Sequence, residues 1–285
     1  LRKTVLSNKN SINKNILICS LEREVIPGYM RYTWIKNIFP DVNVIHITDE
    51  IPQYPETCDE GPQKFWEIWT DVIKRNMPKD LDVWFSSEDY GDEIARRFGI
   101  KSVIVDKQRI VVPISATEIR RQPLNNWKLI PPEVRAYYVR KVCIVGPEST
   151  GKTVLSQGLA DHYRTAWVPE YGREYVDNLK GRHWDIMDLT HIAAGQMHLE
   201  DEMAKSANKL LICDTDVMTT QTWSELYFKT APMWMVRASY QAKYDLHILM
   251  TPDVPWIDDG TREVADQRTR EKHFRLIEKE LKARK

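Results

Sequence analysis

The sequence predicts an α/β protein of two domains, each built on a parallel sheet. Three observations carry this. Short apolar runs alternate with amphipathic helical stretches along the chain, the pattern of parallel strands covered by helices. A loop with the spacing G-x-x-x-x-G-K-T stands at 146–153, between a strand-like and a helix-like segment near mid-chain. The length of 285 residues fits two domains of roughly 100–200 residues each.

In the first half, NILICS (15–20) reads as a buried strand, GYMRYTWIKNIF (28–39) as a helix and VNVIHIT (42–48) as a strand. KFWEIWTDVIKRN (64–76) has apolar residues at helical spacing. LDVWFSS (81–87) is a strand, DYGDEIARRFG (89–99) a helix stopped by Gly99, and KSVIVD (101–106) a further strand. The pair Pro131-Pro132 punctuates the chain. The junction is placed shortly after it, giving domains 1–139 and 140–285. The second half repeats the rhythm, with strands expected at 141–145, 166–169, 209–213 and 245–250 and helices between them. The closing REKHFRLIEKELKARK reads as a charged helix with a solvated Lys/Arg face.

Lys plus Arg equals Asp plus Glu at 41 each. That balance argues against a nucleic-acid or membrane-surface protein, which carries a basic excess or patch. No run of 18 apolar residues occurs. Cys19, Cys58, Cys143 and Cys213 lie far apart without a Cys-x-x-Cys pair. Cys143 and Cys213 sit in apolar runs and read as buried thiols. A reduced, cytoplasmic protein is expected; a homo-oligomer is left open. The chain starts with Leu1 and shows no signal-peptide pattern.

The loop at mid-chain carries the clearest chemistry. Gly146 and Gly151 let backbone N–H groups, including those of Ser149 and Thr150, turn inward around phosphate oxygens. The following helix adds its positive N-terminal end. Lys152 would reach the β- and γ-phosphates of a nucleotide, and the Thr153 hydroxyl would ligate Mg²⁺; the loop alone does not separate ATPases, GTPases and small-molecule kinases. The alternative is a chance Gly-rich turn. Carboxylates downstream narrow the chemistry. Glu170 follows a short strand in AWVPEYGREYV and could accept a proton from a substrate hydroxyl, with Arg173 gripping that substrate. An exposed loop acid or helix cap is the other reading of Glu170. KLLICDTD (209–216) has the form of a strand ending in a magnesium-holding Asp214, with Asp216 close by. TPDVPWIDDGTREVADQR (251–268) suits a lid bringing Arg262 or Arg268 to the transferring group, or else a plain polar loop. Trp256 would line the nucleoside pocket or simply pack.

PISATEIRRQPLNNWKLIPPEV (113–134) is the other distinctive stretch. Its I-S-x-T-x-I-R core resembles the second signature of adenylyltransferase-type nucleotidylyl transferases. That resemblance implies phosphate contacts for Ser115, Thr117 and Arg120; an ordinary capped helix is the alternative. Taken in order, ISATEIR, IPPEVR, VCIVGPESTGKT, VPEYGREYV and CDTD resemble the bifunctional NadR-type enzymes over nearly the whole chain. These join a nicotinamide-mononucleotide adenylyltransferase to a ribosylnicotinamide kinase. The resemblance implies an incomplete nucleotidylyl-transferase-type Rossmann-like sheet followed by a doubly wound P-loop kinase sheet. It also implies ATP, Mg²⁺, nicotinamide riboside and nicotinamide mononucleotide as ligands. FWEIW (65–69) matches a Trp-rich segment of the family, so Trp66 would stack on a cationic ring or remain a core residue. WFSSED (84–89) makes Ser87 and Glu88 weaker candidates. The family's H-x-G-H pair occurs nowhere in this sequence. The chain is expected to start after that element and to stop before a last strand and helix, with adenylyl transfer lost or crippled. A non-catalytic ATP/NAD sensor is the rival reading. A general P-loop ATPase or GTPase, hydrolysing nucleotide without riboside, is a third reading; the Asn-Lys-x-Asp that would mark a GTP preference does not occur.

Overall fold

The structure is a computed structural model that describes residues 14–256 and 266–284. The chain divides into two compact units, Leu1–Arg121 and Gln122–Lys285.

In the first unit, β1 (Asn15–Cys19) pairs in parallel with β2 (Asn43–Ile47), and α1 (Gly28–Ile38) makes the crossover. After α2 (Pro62–Asn76), β3 (Val83–Ser86) pairs in parallel with β4 (Lys101–Ile104) through α3 (Tyr90–Phe98). Gly99 ends α3 in the left-handed region, φ 64°, as the sequence led us to expect. A short α4 (Ala116–Arg121) closes the unit. The expected single sheet is seen as two parallel pairs, because no described strand bonds β1 and β2 to β3 and β4. Phe65, Val72 and Ile73 from α2 are buried, as are Ile94 and Ala95 from α3. That is the apolar stripe of an amphipathic helix in each case.

The second unit opens with α5 (Pro132–Tyr138), which packs on α8 (Ile186–Ser206). That packing groups α5 with the second unit, whereas the sequence suggested a break after residue 139. Then follow β5 (Arg140–Val145), α6 (Lys152–Tyr163), β6 (Trp167–Val168), α7 (Tyr171–Asn178) and α8. β7 (Leu210–Asp214), α9 (Val217–Phe228), α10 (Met233–Gln241), β8 (Leu246–Leu249) and α11 (Gln267–Ala283) complete it. The sheet is wholly parallel in the order β6-β7-β5-β8. β5 thus lies between strands reached in opposite directions, and a crevice opens beyond its carboxyl end.

The two faces of this sheet differ. Ile144, Ile212 and Ala160 form an apolar core with Val142, Leu155, Leu159, Ile248 and Met250 around it. The opposite face carries Lys141, whose Nζ donates to Glu200 at 3.1 Å, and Tyr244, whose hydroxyl donates to the same carboxylate at 2.7 Å. Glu200 is buried; burial raises its pKa, and Lys141 and Tyr244 work against that rise. No helix among the described residues is long and apolar enough to cross a membrane.

Candidate active site

The loop between β5 and α6 has the geometry its sequence calls for. Gly146 has φ 151°, and a Cβ there would stand 2.7 Å from the Met250 carbonyl. Only glycine fits both conditions. Gly151 takes φ 84° as the N-cap of α6, and Ser149 is also left-handed at φ 58°. Such successive turns point amide groups into one concavity at a helix N-terminus. Thr150 Oγ1 donates to the Pro147 carbonyl at 2.9 Å, and so does Lys152 Nζ. Lys152 is therefore buried against the loop it serves.

Asp214 ends β7 beside this loop and is fully buried. Its Oδ2 accepts from Thr153 Oγ1 at 2.6 Å, while its Oδ1 is buried with no hydrogen-bond partner. Burial, then the Glu170 carboxylate, push its pKa up to about 6; Lys152 and the Thr153 hydroxyl pull it the other way. A buried carboxylate oxygen without a partner next to a hydroxyl is a donor set for a hard cation such as Mg²⁺. After Asp214, Thr215 is held at φ 70°. This is rare for a β-branched residue and typical of strain at functional sites. The bend delivers Asp216 as the N-cap of α9, accepting from the Thr219 amide at 2.8 Å.

One cleft runs along this loop. Its polar lining includes Glu148, Ser149, Lys152, Glu170, Arg173 and Thr215. Glu170 occupies the N-cap position of α7 without a side-chain capping bond and lines the cleft. The cleft's aromatic lining was not foreseen. Trp184, Trp223 and Tyr227 form it, with Trp223 stacked on Tyr227 at 5.5 Å and Trp184 edge-on to Tyr227 at 4.8 Å. Trp223 and Tyr227 lie four residues apart on α9, the helix-face spacing that could have flagged them.

Arg270 was also missed. It is buried, and its Nε donates to the Glu148 carbonyl at 3.1 Å. Its other nitrogens reach Val254 O at 3.1 Å and Gln267 Oε1 at 2.9 Å. The closing helix is thus not a purely solvated one: Arg270, His273, Ile277 and Glu280 are buried. Burial, with the Lys152 charge adding to it, lowers the His273 pKa to about 3, so this imidazole is neutral.

The remaining sequence-derived candidates fall elsewhere. Arg268 is exposed, and its amide joins the Asp266 cap of α11. Arg262 lies outside the described residues. Trp256 is half-buried, with its indole nitrogen enclosed and unpartnered. In the first unit, Ser115 Oγ accepts from the Glu118 amide at 3.0 Å, the bond of an ordinary helix cap. Arg120 donates to Thr117 Oγ1 at 3.1 Å. Trp66 packs edge-on to Phe65 at 4.9 Å, with the Arg97 guanidinium 6.0 Å above its ring. Ser87 and Glu88 are exposed.

Comparison with known proteins agrees with this architecture. The AAA domain family matches residues 141–285, just over half of the chain. The chain belongs to the AAA domain family. It is also of the NadR type. The trifunctional NAD biosynthesis/regulator protein NadR of Escherichia coli (strain K12) is 33% identical over 230 residues, covering 77% of this chain and 56% of that protein. The NadR of Salmonella typhimurium is 32% identical over 234 residues, covering 79% of this chain and 57% of its own. The chain thus spans a little over half the length of these curated relatives. A solved NadR protein in complex with NR matches with a TM-score of 0.76 at 20% identity, covering 99% of this chain and 82% of that one. A NadR protein in complex with NAD and AMP-PNP matches with a TM-score of 0.74 at 20% identity, covering 99% of this chain and 83% of that one. At that identity the likeness shows the fold.

Proposed function

We propose that the second unit is a kinase acting in NAD metabolism, transferring the γ-phosphoryl group of ATP to the 5′-hydroxyl of nicotinamide riboside. One observation carries the reading. A single cleft is lined both by phosphate-loop residues with Glu170 and Arg173 and by the aromatic side chains of Trp184, Trp223 and Tyr227. A pyridinium riboside fits that lining, since its cationic ring is attracted to Trp and Tyr faces by about 0.5–2 kcal/mol. Curated relatives named for NAD biosynthesis and a solved relative named for its NR complex support the substrate class.

In this reading the loop amides and Lys152 hold the β- and γ-phosphates and neutralise charge in the transition state. Thr153 and Asp214 would hold Mg²⁺, which supplies further charge neutralisation when bound. Glu170 takes the proton as the 5′-oxygen attacks phosphorus. The new O–P bond forms, the bond from the γ-phosphorus to the bridging oxygen breaks, and ADP leaves with the electron pair. Arg173 positions the riboside, and Arg262 or Arg268 would neutralise the developing charge. Arg270 keeps the loop in shape from behind.

For the first unit we propose a nucleotide-binding role related to adenylyl transfer. We expect no NAD from it, because the sequence has no H-x-G-H pair. The same absence favours a non-catalytic ATP/NAD sensor as the second reading.

The test is product analysis by mass spectrometry after incubation with nicotinamide riboside and Mg-ATP, beside a Lys152→Ala control. Mononucleotide that vanishes in the control supports the kinase. NAD alongside it would overturn the reading of the first unit. ATP binding without any product would favour the sensor.

A further inference from the structure

The polar face of the second unit's sheet holds a cluster that phosphoryl transfer does not use. Cys143 on β5 stands opposite Cys213 on β7 and His247 on β8, so one row of three neighbouring strands carries two thiols and an imidazole. Asp216 reaches this row from the turn after β7. Cys143 and Asp216 are buried and His247 is half-buried. Among the described residues, these three form a group of metal-ligating side chains whose donor atoms all lie within 4.8 Å of one another.

We propose that Cys143, Asp216 and His247 form a site for a divalent transition metal of the zinc class. The donor set is a thiolate, a carboxylate and an imidazole, the mixture that borderline-soft cations select over Mg²⁺. The Asp216 carboxylate is already divided between two tasks. Its Oδ1 accepts from the Thr219 amide and the Thr219 hydroxyl, both at 2.8 Å, which fixes the plane of the group. Its Oδ2 faces His247 Nε2 at 3.3 Å, close to the separation of about 3.4 Å between two ligands on one tetrahedral zinc. Outer hydrogen bonds that hold a ligating carboxylate in this way are a regular part of metal sites. Tyr244 packs edge-on to the His247 ring at 4.9 Å and is itself bonded to Glu200, so the imidazole is braced from the other side.

Charge balance favours the same occupant. Binding exchanges the Cys143 thiol proton for a metal–sulfur bond, and the proton leaves to solvent. A dication with one thiolate and one carboxylate is then neutral, which suits a buried place. Without a cation, burial and the neighbouring acids hold the Cys143 thiol well above its ordinary pKa. Occupancy would tie β5, β8 and the start of α9 together. The start of α9 carries Thr219 and Thr220, which line the active-site cleft, so the metal would stiffen one cleft wall without entering it.

The test uses the full chain, freed of any metal-binding tag and stripped with chelator, then titrated with Co²⁺. The magnesium position, Thr153 and Asp214, offers oxygen only. A thiolate-to-cobalt charge-transfer band with tetrahedral ligand-field bands therefore reports this cluster. We expect the band to saturate at one equivalent and to be lost in Cys143→Ser. It should weaken at least tenfold in His247→Ala and survive in the Cys19→Ser/Cys58→Ser double variant. No band, or a band that persists in Cys143→Ser, overturns the proposal and leaves a buried thiol beside a helix cap. Should Cys143→Ser fail to fold, X-ray absorption of the zinc-loaded Cys19→Ser/Cys58→Ser variant decides. A sulfur at about 2.3 Å supports the site, and an all-oxygen-and-nitrogen shell refutes it.

Discussion

Replacing Asp214 with asparagine separates what this side chain costs the fold from what it gives the reaction. The carboxyl is fully buried, and its pKa rises from 3.8 to about 6. At about 1.4 kcal/mol per unit, ionising it in the folded state at pH 7 costs up to about 3 kcal/mol without a cation. The folded state holds this proton more tightly than the unfolded chain does. Stability from this group is therefore full below about pH 4 and is lost as pH rises through about 6. Asparagine keeps the shape and an oxygen for the Thr153 hydroxyl but has no charge to bury. In chelator at pH 7, Asp214→Asn should melt higher, by up to about 6–12 °C at the usual 2–4 °C per kcal/mol for a unit of this size. The gap should close near pH 4. With Mg-ATP the order reverses, because the wild type gains ligand stabilisation that the variant lacks. A variant that melts no higher than wild type at pH 7, or an offset unchanged at pH 4, would refute the argument that this carboxylate waits for a cation.

Glu170→Gln should lower kcat about 10²–10⁴-fold with KM little changed, the loss expected for a general base, read by steady-state kinetics. Trp223→Ala should raise KM for nicotinamide riboside about 3- to 30-fold and affect an uncharged riboside less, because the cation–π part of binding goes with the ring. Arg270→Ala removes donors from the Glu148 and Val254 carbonyls. It should cost about 3 kcal/mol in denaturant unfolding and weaken ATP binding in calorimetry, since the loop loses its outer brace. Gly146→Ala meets the Met250 carbonyl at 2.7 Å in a backbone region closed to alanine. It should destabilise the second unit by about 2 kcal/mol or more in the same assay.

The strands and the phosphate loop were legible because their signals are local. An apolar run bounded by Gly or by charge marks β5, β7 and β8 within two residues at each end. G-x-x-x-x-G-K-T fixes its own backbone, and Asp214 could be read from its place at the end of an apolar strand. Glu170 and Arg173 were legible for the same reason, since both follow β6 where parallel strands present their ends to the crevice. The placement of Trp66 shows the limit: an aromatic at helical spacing looks the same whether a ligand or Arg97 covers its ring.

What escaped the sequence was a property of pairs far apart in the chain. Trp184, just before α8, and Tyr227 on α9 are distant in the chain and meet where α8 and α9 pack together. Arg270 looked like one more surface charge in a basic helix, yet it reaches back about 120 residues to the loop. Its burial is affordable because carbonyls of Glu148 and Val254 and the side chain of Gln267 satisfy the guanidinium. The polar sheet face follows the same logic. Cys143, Cys213 and His247 are separated by dozens of residues and stand in a single row only once β5 takes its place between β7 and β8. The strand order that opens the crevice therefore also assembles the thiol and imidazole behind it. A test of either site is for this reason a test of the same register.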